Sequence, residues 1–329
     1  MSLTAIEIEE TSEKIARESV FQYFFGKKPI ETEHILLKHI YPEDYKIRSS
    51  IGGLETSLGT RLWESLAKEL AVRNDYALHD EKNCILQPVK RIEPIWKLMD
   101  QWNTTRNIPN NPRPLIEYEK ELEDLIKGIS TKVSYKRLSK GEGVDVFVSK
   151  KSKKYAFDIK TVQWNAGTGP KFNTTLIKWK TFHRLQSGQT GLNAHFVIPY
   201  DPTPRGWWVE FGSRAYPLDK SDIMVGDEFW DLLTGSNNSL VSIEKGFAKL
   251  ATSKFMQICK DLLTNHSDAL DIKLIEVARE VKFTSTYPRS AINRGKKWDW
   301  ECMNCHTRFK STIRAFKTRI DLCPGFAKH

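Results

Sequence analysis

Apolar residues recur at helical spacing in SEKIARESVFQYFF (12–25) and again in SLGTRLWESLAKELAV (57–72), which predicts two helices near the N-terminus. Between them KIRSSIGGLETS (46–57) is polar and glycine-containing and predicts a loop. A third helix is expected over KRIEPIWKLMDQWNTT (90–105), ended by the breakers of NIPNNPRP (107–114). After Pro114, a good first helical residue, Leu115, Tyr118, Leu122, Leu125, Ile126 and Ile129 form one apolar stripe, and Gly128 marks the helix end.

The period then changes from helical to alternating. GVDVFVS (143–149) and KYAFDIKTV (154–162) read as two strands joined by the polar KKSK, a β-hairpin. A polar loop WNAGTGPKFN (164–173), a helix around TLIKWKTFHRLQ (175–186) and a strand NAHFVIPY (193–200) that stops at DPTPRG follow. The region 215–280 reads as helical again, with DEFWDLLTG ending on a glycine stop. Helix, strand, strand, helix, strand is an α/β order shared by many folds.

Side-chain alternation places Val144, Val146 and Val148 on one face of the first strand and Asp145 on the other; on the second, Asp158 and Lys160 lie opposite Tyr155, Phe157 and Ile159. If Ser149 pairs with Lys154, Asp145 faces Asp158 directly, with β-carbons about 5 Å apart. Two facing carboxylates in an apolar hairpin repel unless a cation sits between them. One or two Mg²⁺ ions, held by Asp145, Asp158 and the Ile159 carbonyl together with water and a phosphate oxygen, would meet that need. Lys160, on the same face, is placed to orient or deprotonate an attacking water. Upstream, Glu119 falls within the apolar stripe of its helix and is the expected additional acid, with Glu123 at the stripe's margin as second choice. An Asp–Lys pair on a strand is also, quite often, nothing more than a solvated edge.

Composition adds a partner. Of a net charge of +10, +8 lies from Val281 onward, where eleven basic residues face three acidic ones. Such an end suits a polyanion, DNA or RNA. In the tail WDWECMNCHTRFKSTIRAFKTRIDLCPGFAKH, Cys302 and Cys305 form a C-x-x-C knuckle and Cys323 begins a second half-knuckle, so the segment resembles a zinc ribbon or treble clef. Phe326 stands where a fourth cysteine is usual, leaving His306 or His329 to complete a Zn²⁺ site, the alternative being a degenerate knuckle held by aromatic packing. Arg308 and Arg314 in this tail, and Lys171, Lys178, Lys180, Arg184 and Arg205 after the second strand, are candidate DNA contacts. Cys84 and Cys259 read as core residues. No run approaches a membrane span, and the acidic, amphipathic start lacks the pattern of a secretory leader, so a cytoplasmic protein is expected.

The stretches SLGTRLWESLAKELA, GVDVFV, AFDIKTVQWNAG, HFVIPYDP and DEFWDLLTG, in this order over roughly residues 20 to 240, resemble type II restriction endonucleases of the TdeIII kind. The resemblance implies an α/β fold of the PD-(D/E)xK (restriction endonuclease-like) class: a mixed sheet flanked by helices, with a helical N-terminal layer and a small C-terminal zinc-ribbon-like module. The expected division is a helical region over 1–110, a nuclease core with helical extension over 111–280 and a basic module over 281–329. Asp145, Asp158 and Lys160 then match the catalytic motif, with Asp158 where many relatives of the superfamily carry Glu. The implied reaction is Mg²⁺-dependent hydrolysis of double-stranded DNA at a short, near-palindromic site by a homodimer, with a cognate DNA methyltransferase protecting the host. A methylation-dependent nuclease, a structure-selective repair nuclease and a non-catalytic DNA-binding protein on a decayed scaffold are the alternatives.

Overall fold

The computed structural model describes residues 2–25, 42–108, 113–128, 133–160, 164–165, 167–257, 259, 283–285, 297–302 and 308–312. The chain groups into two compact units, Met1–Ser12 with Gly59–Glu244, and Glu13–Leu58 with Lys245–His329.

The first unit is built on a five-stranded mixed sheet in the order β1-β4-β5-β6-β7, with β1 Ala77–Leu78, β4 Val146–Lys150, β5 Lys153–Ile159, β6 Asn193–Ile198 and β7 Ile223–Val225. β1, β4 and β5 are antiparallel neighbours, while β6 and β7 add in parallel. The hairpin register is the expected one: Val146 pairs with Phe157, Ser149 with Lys154 and Lys150 with Lys153. The connection is tighter than the anticipated four residues, with Lys151 in the left-handed region at φ 55°.

Alternation decides what each face of the sheet covers. Phe147, Ala156, Phe196 and Ile198 belong to the core beneath α5 (Thr168–Ser187), where Phe172 stacks on Phe196 at 4.0 Å and Trp179 lies 6.0 Å from the same ring. α3 (Glu93–Arg106), α4 (Leu115–Ile126) and α6 (Trp207–Ala215) complete that core. On the opposite face Phe157 meets Phe229 of α7 (Asp227–Thr234) at 5.0 Å, and Trp230 meets Trp63 of α2 (Pro42–Arg73). Burying apolar residues on both faces accounts for the near-continuous hydrophobic runs of β4 and β6. A small two-stranded sheet of β2 (Leu86–Pro88) and β3 (Tyr135–Arg137) is tied to α5, Leu86 N donating to Gln186 Oε1 at 2.9 Å and Tyr135 OH to the Leu185 carbonyl at 2.8 Å.

In the second unit α1 (Ala5–Phe25) contributes its later turns, Arg17 lying over Phe255 at 5.3 Å. β8 (Phe283–Ser285), β9 (Lys297–Cys302) and β10 (Arg308–Thr312) form an antiparallel sheet in the order β10-β9-β8. α8 (Ser239–Ala251) runs from one unit into the other.

Three expectations are corrected. Residues 46–57 are not a loop but part of α2: a Cβ on Gly53 would stand 2.6 Å from Tyr23 Oη, so this glycine serves the close approach of two helices rather than a turn. α5 starts at Thr168, inside the anticipated loop, because Gly169 lets its first turn press against the backbone of residues 215 and 216; a Cβ there would lie 2.2 Å from the Tyr216 carbonyl oxygen. The region after residue 215 also contains a strand, β7, which pairs with β6.

Candidate active site

Asp145 immediately precedes β4, and its amide donates to the Phe157 carbonyl at 2.9 Å. The strand pairing ends at Val146–Phe157, and the Asp145 amide bonds to Phe157, one residue out of that register, while its side chain lies close enough to Asp158 to act on it directly. The Asp145 carboxylate is oriented by the backbone: Ile159 N donates to its Oδ2 at 2.9 Å. Asp158 is buried, its side chain 7% exposed, and its Oδ1 sits against the Lys160 ammonium without receiving a well-directed hydrogen bond. Lys160 directly follows β5, its amide held by the Val197 carbonyl at 2.9 Å and its ammonium 5.6 Å from the Phe172 ring. Burial, reinforced by the Asp145 charge and partly offset by Lys160, pushes Asp158 up to about 8.

A third acid comes from α2. Burial first, and then the charge of Asp145, raises Glu64 to about 7, while Lys68 and Lys160 act the other way. Lys68 lies 4.0 Å from Glu64 and 2.8 Å from Glu81. The sequence reading missed Glu64. It sits beside the buried Leu62, Leu66 and Leu70, with Lys68 four residues on, and so looked like an ordinary surface ion pair. The available signal was position: α2 leads directly into β1, the strand beside β4.

Glu119 is elsewhere. Its side chain, 11% exposed, pairs with Lys180 at 3.1 Å, and that ammonium also donates to the Leu192 carbonyl at 2.7 Å. The partner that a carboxylate on a semi-buried stripe requires is a lysine of α5, not a metal-binding pair. Glu123 is engaged in the same way by Arg184 at 2.6 Å.

Four of the cations considered for DNA are committed to carboxylates: Lys180 to Glu119, Lys178 to Glu142 at 2.6 Å, Arg184 to Glu123, and Arg205 to Glu210 at 2.5 Å. Lys171 is exposed on the first turn of α5. Cys302 ends β9 and Arg308 begins β10, whereas Cys305, His306, Arg314, Cys323 and His329 lie outside the described residues. Cys84 is half-buried, its thiol pushed up to about 12 by burial, and Cys259 is fully buried.

Among the described residues no group of three or more His, Cys, Asp or Glu side chains is gathered closely enough to hold a metal unaided. Mg²⁺ does not need such a cage, since it is commonly held by one or two carboxylates with water and substrate oxygens filling the octahedron. The buried Asp158 oxygen without a directed donor, the Asp145 carboxylate whose charge acts on it, and Glu64, on which the Asp145 charge also acts, fit that requirement.

A mixed sheet covered by helices on both faces, with a carboxylate pair and a lysine at one end of its central hairpin, is consistent with the restriction endonuclease-like class. A family model described as "Type II restriction endonuclease, HinfI" matches residues 4–251, and the chain belongs to that family. The resemblance to type II restriction endonucleases read from the sequence is borne out, the matching family model being the one described for HinfI. Type II restriction enzyme MjaII of Methanocaldococcus jannaschii is 23% identical over 233 residues, 67% of this chain. The match covers 58% of that protein's length. No solved structure matches the chain. No helix among the described residues is long and apolar enough to cross a membrane.

Proposed function

We propose that the protein is a site-specific endodeoxyribonuclease that hydrolyses phosphodiester bonds in double-stranded DNA with Mg²⁺. The observation carrying this reading is the meeting of Asp145, Asp158 and Lys160 at one end of the hairpin, with Glu64 electrostatically coupled to Asp145. Asp145 and Asp158 would hold the metal, with the Ile159 carbonyl as a further ligand and Glu64 as the additional acid in place of Glu119. Bound Mg²⁺ supplies charge neutralisation at the phosphate and a lowered pKa for coordinated water. Lys160, paired with Asp158, would orient the attacking water and offset charge on the phosphate oxygens. The Ile159 amide keeps Asp145 aimed while this happens.

The target is a short, near-palindromic site cut by a homodimer, each subunit reading one half. A cognate methyltransferase would protect the host, and the enzyme acts in the prokaryotic cytoplasm. The basic segment 281–329, with Cys302, Cys305, Cys323 and His306 as Zn²⁺ ligands, adds DNA affinity.

The test is incubation of purified protein with unmethylated plasmid or phage DNA and Mg²⁺, beside Asp158→Ala and an EDTA control. Discrete fragments absent from both controls support the reading. Intact DNA that nonetheless shifts in a gel refutes it in favour of methylation-dependent cleavage or binding without catalysis.

A further inference from the structure

Lys178, Lys180, Arg184 and Arg205 each face a carboxylate, so exposed cations without one are better placed to grip a DNA backbone near the cutting site. One groove beside Asp145 is lined by Glu64, Lys68 and Glu81 and, from a different stretch of chain, by Arg137, Lys140 and Gly143. Lys68 is occupied by Glu81 at 2.8 Å. Arg137 and Lys140 are exposed and form no ion pair among the described residues. Arg137 also acts weakly on the solvent-exposed Asp80, whose carboxyl is held low mainly by hydrogen bonds from Lys82 and Asn83.

The segment carrying these cations is a held structure. Glu142 N donates to the Ser139 carbonyl at 3.1 Å, closing a turn in which Gly141, at φ +83°, takes the position that an L side chain rarely adopts. The turn is fastened to α5 at its far end, where Lys178 pairs with Glu142 and Trp179 Nε1 donates to the Glu142 carbonyl at 2.8 Å. At its near end Arg137 is fixed in β3 by pairing with Leu86. A Cβ at Gly141 or Gly143 would meet nothing within 4 Å, so the backbone is open to a ligand. Two residues after Gly143 comes Asp145 itself.

We propose that Arg137 and the Ser139–Glu142 turn form a phosphate clamp, gripping the DNA backbone adjacent to the phosphodiester presented to Asp145 and Asp158. The proposal rests on the nuclease reading above. Rigid cations next to an acidic metal site would draw a polyanion into a place where Glu64, Asp145 and Asp158 alone would repel it. The clamp positions DNA without reading bases.

The experiment measures binding of the full-length protein to two fluorescein-labelled duplexes of unrelated sequence, each about 30 base pairs, in EDTA over a salt series. Wild type is compared with Arg137→Ala/Lys140→Ala and with Lys90→Ala/Lys97→Ala, which removes the same charge at other exposed positions. Each phosphate contact contributes about 0.9 to the slope of log affinity against log salt, so the clamp variant should flatten the slope by about 2 on both duplexes. Lys140→Ala alone should flatten it by about 1, and the control pair should leave it unchanged. A slope for the clamp variant equal to that of wild type, or an equal flattening by the control pair, overturns the proposal. Failure of the nuclease reading is distinguishable, because it shows as wild type leaving DNA intact in Mg²⁺ whatever the slopes.

Discussion

The Asp145 carboxylate, held by the Ile159 amide at 2.9 Å, lies close enough to the buried Asp158 for its charge to raise that carboxyl. Like charges in this arrangement share their burden with protons when no cation is present. Asp158 is pushed up to about 8 and Glu64 to about 7.

These raised values fix the sign of a pH effect. In the metal-free protein the folded state binds the Asp158 proton far more tightly than the unfolded chain, whose value is near 4. The stabilisation is complete below about pH 4 and is lost as pH rises through about 8. Thermal melting in EDTA should therefore fall in this window, the fall should be smaller in Asp158→Asn, and Mg²⁺ should restore stability most at the alkaline end. A melting temperature independent of pH over this range in EDTA would contradict the coupling.

The contrast between two glutamates tests the assignment of the third acid. Glu64→Gln should reduce Mg²⁺ affinity or the cleavage rate by roughly 10- to 100-fold, as expected for a group tuning a metal site. Glu119→Gln, on a helix whose glutamate meets Lys180, should leave cleavage kinetics near wild type and lower stability modestly. Initial rates over a Mg²⁺ titration, alongside melting curves, separate the two.

Arg106 is fully buried and pairs with the buried Asp222; it also donates to the Pro217 carbonyl at 3.3 Å. It joins α3 to the segment leading into β7. Arg106→Met should cost about 3–5 kcal/mol, because it leaves Asp222 buried and uncompensated. Denaturant unfolding measures it, and the double variant Arg106→Met/Asp222→Leu should recover part of the loss.

Gly169→Ala should destabilise by about 1–3 kcal/mol through overpacking, since the new methyl would stand 2.2 Å from the Tyr216 carbonyl oxygen. Gly167→Ala, two residues away with open space around it, should be close to neutral. Equal midpoints for the two variants in urea would show that the start of α5 is not held against residues 215 and 216.

Local sequence determined the hairpin. Alternation over residues 143–160 separates the faces, and the register with 149 opposite 154 holds as far as 146 opposite 157, because strand pairing is a matter of near neighbours. The stripe of α4 was legible for the same reason: Leu115, Tyr118, Leu122 and Ile126 are all buried. What faces a carboxylate from another element cannot be read from periodicity. Glu119 and Glu64 each occupy the flank of an amphipathic helix, and only packing puts one against Lys180 and the other beside Asp145. The insertion between β1 and β4 hides which helix begins the sheet, since strand adjacency skips more than sixty residues of chain. Glycines 53 and 169 look like loop signals in sequence, but tertiary contact makes them helix positions, because a missing Cβ serves close packing as readily as a turn.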